Sequence, residues 1–496
     1  MINSASLLRL SGGTLAVLSS ASAANTQAFS GLVLDPGASS LTSTPVPTRS
    51  VAVNLGAITR NPGATLNVAT IAVGAGYATS TGATNGILGG YATVNNADWV
   101  TLSGGSFAAL AAYQTGTDAT LWAAADNVSL ANNPTVPLAG NATINSLKLT
   151  GSSTIAIPGA STLTLGSGGI LETAGAASIS GGALRGAAGA DLVVHQNNAA
   201  NAMTISSAIV NNGAATGLTK TGAGALVLSG ANAYSGNTFL NAGTLEISSD
   251  ANLGGGATLT ARAATTLRIS GASAFSSAKN FQFDFGSNSF GGAANAANGT
   301  GANFFVDVTN TAGATISGAF NVTAGTMTKT GAGTLTLTNG GINQLTRLNG
   351  GLGFNVSNGG LVFNGGAASE YRIGQAELTI GDNSAQPAIV TLQSGTLSVG
   401  SFTSIGRGNG TTGLQSGLNI SGGTFSGGNL FTGFANGLAS YNTRPFINIS
   451  GSSIVNVSDS MRLSESAGSV TTATISGTSQ LTANNNLEVG FGGKGR

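Results

Sequence analysis

The chain has no cysteine, one histidine and few charges: 17 Lys and Arg and 16 Asp and Glu among 496 residues, 7% of the total, where a quarter is usual. Prolines number nine and aromatic residues make up 5%. Each shortage closes a route. Without cysteine there is no disulfide framework, no all-cysteine zinc site and no thiol nucleophile. A formal net charge of +1, with the cations scattered, leaves no electrostatic footprint for nucleic acid. No apolar run reaches the roughly 18 residues a membrane-spanning helix needs. Absence of thiols also suits a chain that passes unfolded through an oxidising compartment.

What is abundant is glycine, 78 residues, with 41% hydrophobic residues. That apolar content is too high for plain disorder, and no glycine recurs at every third position as in collagen. The chain reads as short alternating strands punctuated by Gly, Asn and Ser. Expected strands include Leu163–Leu165, Ala225–Leu228, Thr244–Ile247, Thr258–Thr260 and Thr266–Ile269. Others are Thr334–Leu337, Glu377–Ile380, Gly417–Ile420 and Phe446–Ile449. Helix formers are scarce; only Phe107–Tyr113, rich in alanine, is expected to make two helical turns.

Repetition is the stronger signal. Ser-Gly-Gly-Thr occurs at Ser11 and Ser421, and Ile-Ser-Gly follows Thr315, Asn419, Asn448 and Thr474. Segments starting at Ser401, Ser460 and Asn486 read as one unit, an apolar pair followed by Gly or Ser. Imperfect repeats of roughly 20–30 residues made of short strands predict an all-β solenoid. At about 22 residues per coil the chain would make roughly 22 coils. Glycine would turn the corners, Leu, Ile, Val and Phe would stack inward, and Thr, Ser and Asn would form uncharged ladders outside.

One stretch is far more specific. Residues 218–247 contain Gly222, Gly224, Leu226, Leu228, Gly230, Asn232, Tyr234, Gly236 and Thr238, then Gly243 and Leu245. The pattern G-x-G-x-L-x-L-x-G-x-N-x-Y-x-G-x-T followed by G-x-L resembles the autotransporter-associated β-strand repeat, or passenger-associated transport repeat. A second, partial copy spans 328–340 from Lys329-Thr-Gly, with a rough echo of G-x-L at Gly350-Gly-Leu352. The resemblance implies a right-handed parallel β-helix passenger, exported across the outer membrane and shown at the cell surface, with the repeat assisting passage. It implies as partners an outer-membrane barrel or export machinery outside this sequence, and surface glycans or other cell surfaces. Three segments are expected: solenoid coils 1–217 with a side loop near 87–125, the repeat-bearing coils 218–344, and coils with degenerate repeats, 345–496. Leu7 to Leu18 read as strands rather than a signal peptide, although Ala21-Ser-Ala-Ala would suit a cleavage site. The sequence is expected to be a fragment without its export signal or anchor.

The rival expectation is a carbohydrate-active β-helix enzyme, which needs clustered carboxylates. The densest mixed patches are Glu370 and Arg372 with Glu377, and Asp459 and Arg462 with Glu465. Glu465 and Glu488 are spaced for adjacent coils, where a surface ion pair is the simpler expectation. His195 has no Ser or carboxylate constellation around it and reads as a solvent-facing strand residue. Lys220-Thr-Gly, Lys329-Thr-Gly and Ser276-Ser-Ala-Lys279 match serine β-lactamase motifs but lack that fold's helix, so they read as turn sequence. Gly490–Gly495 satisfies G-x-G-x-x-G with no helix following. Phe281, Phe283 and Phe285 alternate as buried core, and Trp99 and Trp122 are expected to cover core rather than bind sugar. No catalytic residue, cofactor or metal ligand is assigned, and a spacer role for a domain elsewhere remains open.

Overall fold

The computed structural model describes residues 2–18, 24–44, 50–69, 75–262, 264–284, 303–323, 325–381, 386–407, 414–433, 443–490 and 494–495. Among these the regular structure is β-strand, apart from two 3-10 turns at Ala119–Leu121 and Asp250–Leu253. All nine expected strands lie within observed ones. Strands pair in parallel from coil to coil, giving a β-solenoid of about 16 turns rather than the roughly 22 expected. Coils are longer than the short motifs imply because both strands and corners vary in length, as Ala92–Val94 and Thr154–Glu172 show for the strands. Phe285, parts of the Ala21-Ser-Ala-Ala and Gly490–Gly495 motifs, and part of the 491–496 end lie outside the described residues.

The chain divides into two compact units, one chiefly Met1–Ile247 with Ala251–Arg262, the other chiefly Ala263–Asp284 with Asn288–Arg496. In the first unit the opening coils have three faces. Leu7–Leu10, Gly31–Leu34 and Ala57–Arg60 stack on one. Thr14–Leu18, Gly37–Thr44, Ala64–Ala69 and Ala92–Val94 stack on the second, and Asn25–Ala28, Val51–Asn54 and Ala75–Ala78 on the third. Leu34, Leu41, Val53 and Val68 fill the space between them.

The coil is then interrupted by an antiparallel hairpin, Asp98–Ser103 with Ser106–Ala109. Its two turn residues, Gly104 and Gly105, have φ of 57° and 81°, the conformation a two-residue hairpin turn requires. This overturns the helix expected at Phe107–Tyr113. Ser103-Gly-Gly-Ser106 is a hairpin signal, and pairing of Leu102 with Phe107 commits Ala108 and Ala109 to a strand.

The remaining coils of the first unit form a long parallel ladder. Leu147, Ile170, Val194, Lys220, Leu240 and Ala261 occupy one column in it. Every member points into the core and is fully buried. One of them is a lysine.

The second unit has the outward ladder that the composition requires. Ser276, Thr315, Thr336, Val362, Thr391, Asn419, Asn448 and Thr474 are successive rungs. Asn448 Nδ2 donates to Asn419 Oδ1 at 3.0 Å. Beside it, Ile316, Leu337, Phe363, Leu392, Ile420 and Ile449 alternate inward, each 0–1% exposed. Burying each such side chain is worth about 1.5–3 kcal/mol, and it is shared with the coil above and below rather than with a single central core. The segments starting at Ser401, Ser460 and Asn486 do stack: Thr403, Leu430, Met461 and Leu487 share a column. Phe283 packs on Phe304 and Phe320, with ring centroids 5.6 and 5.0 Å apart.

Candidate functional site

The residues of the specific motif at 218–247 each have a structural task. Leu226, Leu228, Leu245 and Ile247 enter the core from two strands, Ala225–Leu228 and Gly243–Ile247, paired in register. Asn232 bridges neighbouring coils: its Oδ1 accepts from Ile209 N at 2.8 Å and its Nδ2 donates to Asn252 O at 2.6 Å. Tyr234 is fully buried at a corner, its hydroxyl 2.7 Å from Thr238 Oγ1. The motif therefore spells out one corner, two core strands and the contacts to the next coil.

Lys220 opens this segment. Alternation with Leu218 puts it on the apolar face, and its side chain is fully buried. Its Nζ donates to Gly222 O, to Gly224 O at 2.6 Å and to Ala242 O at 2.8 Å. Burial pushes its amine down to about 7. Lys329 in the second unit repeats this arrangement, donating to Gly331 O at 2.7 Å, to Gly333 O and to Asn358 O at 2.8 Å. Burial lowers its amine to about 8. The glycines are turn residues as expected, whereas the lysines are core residues. The match is closer than the sequence shows. Leu361, in Gly359-Gly-Leu361, pairs with Leu335 as Leu245 pairs with Leu226. Gly350-Gly-Leu352 instead lies within the strand Ile342–Val356, so the G-x-L of the second copy stands nine residues later than its echo. The other β-lactamase match also fails: Ser276 is an exposed strand residue, and Lys279 Nζ turns to Asp250.

In the two densest mixed patches the glutamates are paired with arginines. Glu370 accepts from Arg372 Nε at 2.7 Å and Glu377 from Arg407 at 2.6 Å. Arg462 lies between Glu465, at 3.3 Å, and Glu488, at 2.8 Å, on successive coils. Both carboxylates are half-buried, and burial raises that of Glu465. Among the described residues no three His, Asp or Glu side chains are grouped to hold a metal ion.

His195 is not solvent-facing. It does stand on the outer side of its strand, paired with Leu171 and Thr221, but the side segment covers it. Gly90 O lies 3.0 Å from its Nε2 and the Trp99 ring packs edge-on at 5.5 Å. Burial drives its imidazole down to about 4. Trp99 covers Leu171 with Ile87, and Trp122 donates to Gly116 O at 2.9 Å. Neither offers an exposed face to a sugar: their exposures are 0% and 8%. Two further buried groups escaped sequence reasoning. Glu172, fully buried, accepts only from Ala177 N at 3.3 Å, and burial pushes its carboxyl up to about 7. Asp191 resists the same effect. Arg60 grips both of its oxygens at 2.6 and 2.7 Å, and Gly63 N and Thr219 Oγ1 add to this, so its pKa falls despite burial. Asp191 thus depends on a segment far away in sequence.

The described residues border open hollows, among them two of about 450 Å³. One, in the first unit, is bordered by Pro36, Asn61, Pro62, Asn237 and Phe239. The other, in the second, is a polar groove of Arg372, Ser398, Ser426 and Ser458 across glycine corners.

Comparison with known proteins places the motif. A family model described as the passenger-associated-transport repeat matches residues 218–247. An adhesin autotransporter, BmaC, of Brucella suis biovar 1 (strain 1330), is 35% identical over 266 residues, 51% of this chain. The chain spans 8% of that adhesin's length. No solved structure matches. Residues 218–247 are a passenger-associated-transport repeat, set in a parallel β-solenoid that is similar over half the chain to a stretch of an autotransporter adhesin.

Proposed function

We propose that the chain is a non-enzymatic stretch of a surface-displayed, adhesin-like passenger. The repeat at 218–247 assists its export across the outer membrane, where an integral barrel serves as anchor. The observation that carries this is the coincidence of the family match with the built two-coil unit around Lys220. Pairing of Glu370, Glu377, Glu465 and Glu488 with arginines supports a structural rather than a catalytic use of charge in the two densest patches. The coils 1–217 and 345–496 serve as extended display surface, the coils 218–344 as the export element. Contact with surface glycans or other cell surfaces is made through many weak polar contacts along the Thr, Ser and Asn ladders.

The test is display. The chain, fused to an export signal and an outer-membrane barrel, is expressed with and without residues 218–247, and surface exposure is read by antibody binding to intact cells. Deletion should lower display at equal total protein. Equal display would overturn the export role. Beads coated with the purified chain should adhere to host cells and lose adhesion after glycan removal; no adhesion above bare beads would overturn the adhesin reading.

A further inference from the structure

A lysine ammonium carries three donors and no acceptor. Taking it out of water costs several kcal/mol unless every donor is matched. Lys220 satisfies two of its donors within its own turn, at Gly222 O and Gly224 O, two and four residues ahead. The third acceptor is Ala242 O, 22 residues ahead on the following coil. Lys329 divides its bonds in the same way, with the third carbonyl, Asn358 O, 29 residues ahead. The intervening chain differs in length and the residue whose carbonyl accepts differs in type, yet the cage is reproduced. The two sites share Lys-Thr-Gly-Ala-Gly locally, and the cage geometry persists where the following coil differs.

The next coil is shaped to fit over the cage. Gly243 and Gly359 follow the third carbonyl and have φ of +69° and +68°. A Cβ on Gly243 would lie 2.5 Å from both Gly222 O and Gly224 O and 2.6 Å from Lys220 Nζ. One on Gly359 would lie 2.6 Å from Gly331 O and Gly333 O. Backbone bonds flank the closure: Asn241 N donates to Lys220 O at 2.8 Å and Ser357 N to Lys329 O at 3.0 Å.

We propose that Lys220 and Lys329 are ammonium latches that bind each repeat coil to the coil after it. Each lysine closes only when the next coil supplies the third carbonyl and a glycine without a Cβ. Until then its third N–H needs water, so a lone coil ends in a solvated ammonium. Once stacked, the two coils open and close as one unit. The latch gives the repeat's export role a residue-level cause, but it is a property of folding and stands if that role fails.

The experiment is hydrogen exchange by mass spectrometry on the purified full chain at about pH 6, where both lysines are protonated. Lys220→Met, Gly243→Ala and the double variant are compared with the parent. Each single change should speed exchange about tenfold or more in both Leu218–Thr221 and Gly243–Ile247. The double should exchange no faster than the faster single, and the Lys329 coils should not change. Effects confined to one coil, or multiplying in the double variant, would overturn the latch. Should a variant fail to fold, the parent decides the matter: in pulsed amine acylation during refolding, Lys220 should become protected together with the amides of Gly243–Ile247. Protection before those amides would refute the proposal. Normal display of a latch-deficient variant would count against the export role alone.

Discussion

Glu172→Gln should make the first unit acid-sensitive. Unfolded histidine takes its proton near 6.5, but His195 in the folded chain does so only near 4. Its stabilising share is therefore complete above about 6.5 and is lost as pH falls through about 4. Glu172 runs the other way: its folded value is about 7 against 4.5 unfolded. Its share is complete below about 4.5 and is lost as pH rises through about 7. Each span of roughly 2.5 pH units is worth about 3 kcal/mol. Between about pH 4.5 and 6.5 the two slopes oppose, so the parent should be nearly flat. Asp191, whose folded pKa lies below the ordinary value of 3.8, titrates outside this window. Removing Glu172 leaves the histidine uncompensated, a loss of about 3 kcal/mol on acidification, or about 1 M in urea midpoint. Both tryptophans, Trp99 and Trp122, belong to the first unit, so tryptophan fluorescence follows that unit alone. A midpoint in Glu172→Gln that does not fall between pH 6.5 and 4.5 would refute the reasoning, as would a steep fall in the parent.

Other outcomes can be measured in the same way. Asp191→Asn breaks a buried bidentate pair and strands Arg60, and should cost about 3–5 kcal/mol in fluorescence-monitored urea unfolding. Gly104→Val forces a β-branched residue to φ of 57°; it should lower the midpoint by at least about 1 kcal/mol and expose Trp99 to quenching by acrylamide. Leu418→Ala empties a fully buried position between Val390 and Ile447. It should cost about 2–5 kcal/mol, with faster hydrogen exchange in those two strands and unchanged tryptophan fluorescence.

The solenoid was legible because its strands repeat a short grammar. L-x-L with glycine two residues before it places core and corner at once, as at Gly224, Leu226 and Leu228. Coil length was not legible, because corners differ: Gly243 follows Lys220 sooner than Gly359 follows Lys329, and a motif search stops at the longer gap. The core role of Lys220 was written in its alternation with Leu218, but the glycines that follow it made Lys220-Thr-Gly read as turn sequence. His195 could not be read from its own strand at all. Its outward direction was correct, and its burial is decided by Gly90 and Trp99, about a hundred residues earlier. The same is true of Asp191, held by Arg60.

The corners have a consequence for how such a chain can change. In the outward ladder from Ser276 to Thr474 each rung meets the next in register although the chain between rungs varies in length. Advance per turn is fixed by backbone pairing, whereas contour per turn is free. An insertion at a corner therefore alters neither the parity of the strands nor the order of the stack. Such a scaffold can acquire new surface loops one turn at a time without renegotiating its core.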